Sequence, residues 1–274
     1  MLLLLPTSIR SRLVLSIWMN APRRTRVVHV DGQEFRVALN GFWDTFEEGW
    51  EPETLAVFRR YLSHGGTFVD VGAFLGPTVL CAAAAGATRI EAVEANPVTF
   101  RLLESTREYN DTALPPTRLH FRCISTADNE EVRMSAQSPV SSGASSIDSG
   151  EAFFEWTVPS ILLSTFLRQV GFEGNGLVKI DIEGAESAIT EDIRKVGEYP
   201  QTAVHLSLHP PLWGNKDGTA SAILNMTRQF KVFDVQGSPL SRETLQSMML
   251  TDERNPSWGT AWGNFFEVVL ESKA

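Results

Sequence analysis

From residue 67 onward, short apolar runs of strand length alternate with segments of helical periodicity. TFVDVG is followed by PTVLCAAAAG, RIEAVEA by NPVTFRLLESTREYN, and GLVKIDIEG by AESAITEDIRKVGEY. RLHFRCIS reads as a further strand and ILLSTFLRQVG as a further helix. Towards the end, TAVHLSLHP and KVFDVQG read as strands, SAILNMTRQFK and SRETLQSMML as helices, and NFFEVVLE as a closing strand. This alternation predicts a largely parallel sheet with helices on both faces. Ligands in such sheets bind beyond the carboxyl ends of the strands. The residues that matter are therefore those where strands stop: Asp70 to Gly76, Glu94 to Pro97, Ser125, Asp181 to Glu186, and Ser207 to Pro210.

Ahead of this region, RVVHVDGQEFRVAL predicts a β-hairpin around Asp31-Gly32, and Pro52 a helix start, with Gly65-Gly66 as its stop. The expected organisation is an N-terminal extension of helix and hairpin, residues 1–50, before one α/β domain, residues 51–274. In the first residues, Leu13, Val14, Leu15, Ile17 and Trp18 could form an amphipathic helix that packs on the domain. The start lacks a basic leader and is broken by Pro6, Arg10 and Arg12, so neither a signal peptide nor a membrane span is expected.

A net charge of −9, with no extended basic stripe, argues against nucleic acid as a partner. Cys81 and Cys123 are too few and too far apart for a disulfide framework or a zinc site. Buried thiols in the cytoplasm are expected. The segment SPVSSGASSIDSGEAFFEW reads as a polar linker or lid, and Trp258 and Trp262 as cover for the core edge or a wall of a pocket.

The strand-end residues define a ligand chemistry. Gly72 permits a sharp turn and close backbone approach, Gly76 opens a helix, Asp70 ends a buried strand, and Glu94 ends the next. A dinucleotide fingerprint needs G-x-G-x-x-G, and only G-x-x-x-G is present; a P-loop needs Gly-Lys, and Pro77 follows Gly76. A nucleoside with a zwitterionic tail fits better, with Glu94 accepting both ribose hydroxyls and Asp70 facing a cation. S-adenosylmethionine has that form.

FVDVGAFLG…EAVEANP resembles the first motifs of S-adenosylmethionine-dependent methyltransferases. LVKIDIEGAE, after VPSILLSTFL, resembles the signature of the FkbM family, and WEPET and NFFEVVL stand where that family has similar segments. The resemblance implies a class I methyltransferase fold: a Rossmann-like, doubly wound, seven-stranded sheet with the last strand antiparallel. It implies methyl transfer, mostly to a hydroxyl of a sugar or secondary metabolite. By the same resemblance, Asp70, Gly72, Ala73, Phe74 and Gly76 line the methionine end of the cofactor. Glu94, Ala95 and Asn96 hold the ribose side, Ser125 lies near the adenine, and Asp181 stands beside the sulfonium. Two departures stand out. Phe74-Leu75 replaces the Asn-Ile frequent in relatives, and Ser207-Leu208-His209 keeps the histidine of their Glu-x-His without its acid.

Methyl transfer to a hydroxyl requires a proton acceptor. His209 is the candidate base, expected as a neutral imidazole at pH 7, or else it bonds a neighbouring loop. Asp181 and Glu183 would position the acceptor. With His209 they would also admit a divalent cation, but spacing alone does not bring them together, so no metal ligand is assigned. Glu186 reads as a helix-start acid, His205 as structural, and Lys179 as a strand-interior cation in need of Glu183 or Asp70. An N-methyltransferase and a non-catalytic S-adenosylmethionine-binding module remain as alternatives.

Overall fold

The computed structural model describes residues 7–20, 23–136, 138, 140, 154–251 and 265–273. The Ser/Gly-rich stretch that reads as a linker or lid, together with Trp258 and Trp262, lies mostly or wholly outside them. The chain opens with helix α1 (Thr7–Asn20) and the hairpin β1 (Thr25–Val30) and β2 (Gln33–Ala38). Asp31 and Gly32 both take positive φ, 52° and 76°, as a tight hairpin turn demands. Helices α2 (Phe42–Glu47) and α3 (Pro52–Leu62) follow. Pro52 sits in the first turn of α3, as read from the sequence. Helix α2 is an addition to that reading.

The sheet proper is built from β3 (Thr67–Val71), β4 (Arg89–Glu94), β5 (Thr117–Phe121), β9 (Gly176–Ile180), β10 (Thr202–Leu208), β11 (Phe230–Phe233) and β12 (Phe266–Ser272). Their order is β11-β12-β10-β9-β3-β4-β5. Strands β3, β4, β5, β9 and β10 pair in parallel, while β12 runs antiparallel to both of its neighbours, β10 and β11. This is the seven-stranded sheet expected from the sequence, with the last strand reversed. Helices α4 (Pro77–Ala85), α5 (Pro97–Tyr109), α6 (Leu163–Gln169), α7 (Thr190–Val196), α8 (Lys216–Met226) and α9 (Arg242–Leu250) complete the wrapping.

Two corrections concern strands. RLHFRCIS, read as one strand, divides at Arg122: β5 stays with the main sheet, while β6 (Cys123–Ile124) joins β8 (Phe154–Ile161). Strand β8, absent from the sequence reading, pairs antiparallel with β7 (Glu131–Ala136) and makes a second, three-stranded sheet.

One apolar core, including Val71, Ile180, Leu206 and Val268, lies on one side of the main sheet. The other, including Phe58, Phe68, Val79 and Ala92, also takes in Val28, Phe35 and Trp43 from the hairpin and α2. The extension is thus continuous with a core of the α/β unit. Helix α1 packs on β8 and α5, and the Ser11 hydroxyl accepts from the Glu155 amide at 2.9 Å. Leu15 joins the apolar contact there, whereas Leu13 and Ile17, expected to pack, are exposed. Both cysteines are free and buried. Among the described residues, no helix is long and apolar enough to cross a membrane.

Candidate active site

The ends of β3, β4, β9 and β10 lie side by side, and the site is built from them. Gly72 follows β3 with φ 90°, and a Cβ there would lie 2.0 Å from the Asp181 carbonyl oxygen. Only glycine lets the turn after β3 press so closely on the end of β9. The amides of Gly72 and Ala73 donate to the Val93 carbonyl at 3.0 Å, joining the turn to β4. Gly76, at φ 94°, caps α4.

Asp70 is fully buried. One carboxylate oxygen, Oδ2, accepts from the Thr78 hydroxyl at 2.5 Å, and the other, Oδ1, has no hydrogen-bond donor. Burial pushes its carboxyl up to about 6, against the pull of Lys179. A buried, half-satisfied carboxylate is costly unless a cation or donor meets it.

Glu94 is also buried, and its carboxyl rises to about 7 by burial. Its Oε1 accepts from the Asn96 amide at 2.7 Å and the Thr99 hydroxyl at 2.9 Å; its Oε2 accepts from the Phe74 amide at 2.8 Å. A carboxylate offers about four acceptor positions, so roughly one remains, on Oε2. In this arrangement Glu94 can take one ribose hydroxyl rather than both. Asn96 caps α5 by accepting from the Val98 amide at 2.9 Å, and the Ala95 carbonyl accepts from Trp156 Nε1 at 2.8 Å. Trp156 therefore reaches this rim from β8, a strand the sequence did not announce. Ser125, half-buried after β6, donates its amide to the Ile161 carbonyl at 3.0 Å.

Phe74 stands at φ 51°, a left-handed conformation that suits asparagine better than phenylalanine. Its ring meets Phe42 edge-on, 5.2 Å between centroids, and Phe42 in turn meets Trp43 and Trp50. Aromatic packing thus occupies the side-chain position of this turn.

On the next strand, Asp181 follows β9. Its Oδ2 accepts from Lys179 Nζ at 2.8 Å, so Asp181, rather than Glu183 or Asp70, is the direct partner of that buried lysine. Asp70, Lys179 and His205 occupy matching registers on β3, β9 and β10, a row of ionisable side chains across the sheet. Burial opposes the charge on Lys179, but Asp181, Glu51, Asp70 and Glu267 outweigh it and raise its pKa. Burial would raise Asp181, yet Lys179 and His209 hold it below the usual carboxylate range.

His209, just past β10, is buried. Its Nδ1 lies 2.5 Å from Glu186 Oε1, and its Nε2 lies 3.4 Å from Asp181 Oδ1 and 4.0 Å from Glu183 Oε2. Burial lowers its pKa, but Glu186, Asp181 and Glu183 prevail and raise it to about 9. The neutral imidazole expected at pH 7 is thus disfavoured, because the acidic side chains around the ring favour its protonated form. Glu183 stands at φ 53°, with its carboxyl raised to about 7 by burial and by the charge of Asp181.

Glu186 departs most from its reading as a helix-start acid. It is fully buried at the start of a four-residue 3-10 turn (Glu186–Ile189). Its carboxylate accepts from the Gly184 amide at 3.0 Å and Trp213 Nε1 at 3.1 Å, besides holding His209.

Sequence reasoning also missed Glu51 and Glu267. Glu267 on β12 is the register partner of Ser207, whose hydroxyl donates to it at 3.0 Å. The neighbouring strand thus places an acid beside the residue two before His209. Its Oε2 lies 3.2 Å from His205 Nε2, and Thr54 bridges it to Glu51. Burial and the charge of Glu267 push Glu51 well above its ordinary value. Both residues lie in segments quoted above, WEPET and NFFEVVL, but no pattern in the sequence signals that they meet. An open groove between β11 and α9, about 480 Å³ and lined by Arg228, Phe230 and Arg242 among others, holds none of these strand-end acids.

No family profile and no curated protein matches the chain. Among solved structures, it is similar to a methyltransferase FkbM from Methylobacillus flagellatus, at 15% identity and a TM-score of 0.47 over 76% of this chain and 44% of that one. It is similar to a SAM-dependent methyltransferase from Agrobacterium tumefaciens, at 12% identity and a TM-score of 0.48, covering 93% and 72% of the two chains. An rRNA methylase from Streptococcus thermophilus gives 11% identity and a TM-score of 0.43, covering 80% and 93%. The chain thus spans less than half the length of the Methylobacillus protein.

Proposed function

We propose that this chain is an S-adenosylmethionine-dependent methyltransferase, of FkbM type, that methylates a hydroxyl on a sugar or secondary-metabolite acceptor. The observation that carries the reading is Asp70 Oδ1, a buried carboxylate oxygen without a donor beside the Gly72 turn. The ammonium of a methionine tail would supply that donor. Asp181 and Glu267, both held ionised, carry more negative charge than Lys179 offsets, which suits a ligand with a second cation, the sulfonium.

In the reaction, the acceptor oxygen forms a bond to the methyl carbon while the carbon–sulfur bond breaks, its electron pair passing to sulfur. The enzyme's part is alignment and exclusion of water. The hydroxyl proton leaves towards Glu183, whose carboxyl rises to about 7, within the cluster it forms with Asp181 and His209, whose candidate atoms lie within 4.8 Å of one another. Asp70, Gly72, Ala73, Phe74 and Gly76 shape the methionine end. Glu94, Ala95 and Asn96 shape the ribose side, and Ser125 flanks the base.

Calorimetry with S-adenosylhomocysteine tests the first step. Saturable binding is expected, and NAD should give no heat; the reverse result overturns the reading. A screen of acceptors, followed by the mass gain of one methyl group, then identifies the substrate.

A further inference from the structure

We propose that Asp181, Glu183 and His209 together form a binding site for one divalent first-row metal ion of the Mn²⁺ type. The site lies at the acceptor end of the crevice, so its role in methyl transfer rests on the function proposed above; its ability to bind a cation does not.

The three side chains come from three places: Asp181 from the end of β9, Glu183 from the turn after it, and His209 from the end of β10. They converge to within 4.8 Å, atom to atom. Nε2 of His209 is 3.4 Å from Asp181 Oδ1 and 4.0 Å from Glu183 Oε2. Those spacings are long for hydrogen bonds. Ligands bound at about 2.0 to 2.2 Å to a shared cation stand roughly 3 to 4 Å apart, so the spacings suit a common ion.

Two further observations separate this arrangement from a surface cluster of acids. Asp181 Oδ1 is a buried oxygen with no hydrogen-bond donor, because Lys179 holds the other oxygen, Oδ2. The His209 side chain is only 8% exposed, and its orientation is set from behind by Glu186 at Nδ1, which leaves Nε2 aimed at the two acids. A carboxylate fixing the far nitrogen of an imidazole is the usual support of a metal-bound histidine. Glu186 is thus a positioning residue, anchored in turn by Trp213 and Gly184.

Two carboxylates and one imidazole, which gives up its Nε2 proton as the ion binds, match borderline ions such as Mn²⁺ better than Ca²⁺, which needs six to eight oxygens. Three protein ligands leave coordination positions for water or acceptor oxygens.

The test is titration of the full chain with Mn²⁺ alone, followed by calorimetry and by the electron paramagnetic resonance signal of free Mn²⁺. One saturable site is expected. Glu183→Gln should weaken it at least tenfold, and Glu186→Gln about 10- to 100-fold, although Glu186 is not a ligand. S-adenosylhomocysteine affinity should stay within about twofold in both variants. Mn²⁺ should also raise the wild-type melting temperature, a readout that needs no variant to fold. No saturable binding up to millimolar Mn²⁺, no thermal shift, or wild-type affinity in Glu183→Gln overturns the proposal. Because cofactor binding is measured separately, loss of S-adenosylhomocysteine binding with Mn²⁺ binding intact counts against the methyltransferase reading and leaves the metal site standing.

Discussion

Glu186 Oε1 lies 2.5 Å from His209 Nδ1, with both side chains buried. One carboxylate thereby joins the end of β10 to the turn after β9, and Trp213 and Gly184 close on the same group. Removing it leaves three donors without an acceptor. Glu186→Ala should cost about 2 to 4 kcal/mol of stability, each buried orphan adding roughly 1 to 3 less whatever water replaces. Chemical denaturation measures it; a loss under about 0.5 kcal/mol would mean the three donors find other partners.

Asp70 gives a pH dependence of definite sign. Its carboxyl is raised in the folded protein to about 6 from 3.8, so between those values the native state holds the proton more tightly than the unfolded chain. Its contribution to stability is therefore most favourable below the unfolded value, declines as pH rises towards 6, and levels off above. Binding of a cationic tail needs the ionised form and should weaken as pH falls through 6. Asp70→Asn should reduce S-adenosylhomocysteine affinity about 10- to 100-fold, in line with a lost charge-assisted hydrogen bond, while remaining no less stable than wild type at pH 7. Calorimetry and thermal melts between pH 5 and 8 read both effects, roughly the range where the group titrates. Affinity that is flat across it excludes Asp70 as the ammonium's partner.

The closeness of two strand ends makes Gly72 intolerant of a side chain. A Cβ would lie 2.0 Å from the Asp181 carbonyl oxygen, at a φ of 90°. Gly72→Ala should destabilise by about 3 kcal/mol or more. Gly214→Ala, where a Cβ meets nothing within 4 Å, should change stability by less than about 1 kcal/mol. Comparable melting temperatures for the two variants would refute the close approach.

Ser207 and Glu267 face each other across β10 and β12. Ser207→Glu alone places two carboxylates in one buried register pair and should cost about 1 to 3 kcal/mol. Adding Glu267→Ser restores a single acid on the other strand and should recover most of that loss. A double-mutant cycle with coupling below about 0.5 kcal/mol would show that the two positions act independently.

Much of this architecture can be read from local pattern, because β3, β4 and β9 are buried runs that end in acids or glycine. The hairpin turn, the Pro52 start and the succession of core strands along the chain follow from residue type alone; their order across the sheet does not. Strand β8 does not: Pro159 interrupts its pattern, and it follows a polar Ser/Gly stretch. The break at Arg122 is equally silent, since only the partner strands distinguish β5 from β6. At the site, acids at strand tips were visible. Their partners were not, because Glu267 reaches Ser207 across 60 residues and Glu186 reaches His209 across 23. Convergence of that kind is a product of topology. The charge on His209 was misread for the same reason, as three carboxylates that set it come together only in the fold.

Phe74 brings one further consequence. Its ring in the glycine turn leans on Phe42, which belongs to a helix ahead of the first parallel strand. The chain therefore cannot be cut at residue 50 without loosening that turn. Anyone trimming it, or grafting its sheet into a chimaera, would strip away the buttress that holds the turn in shape.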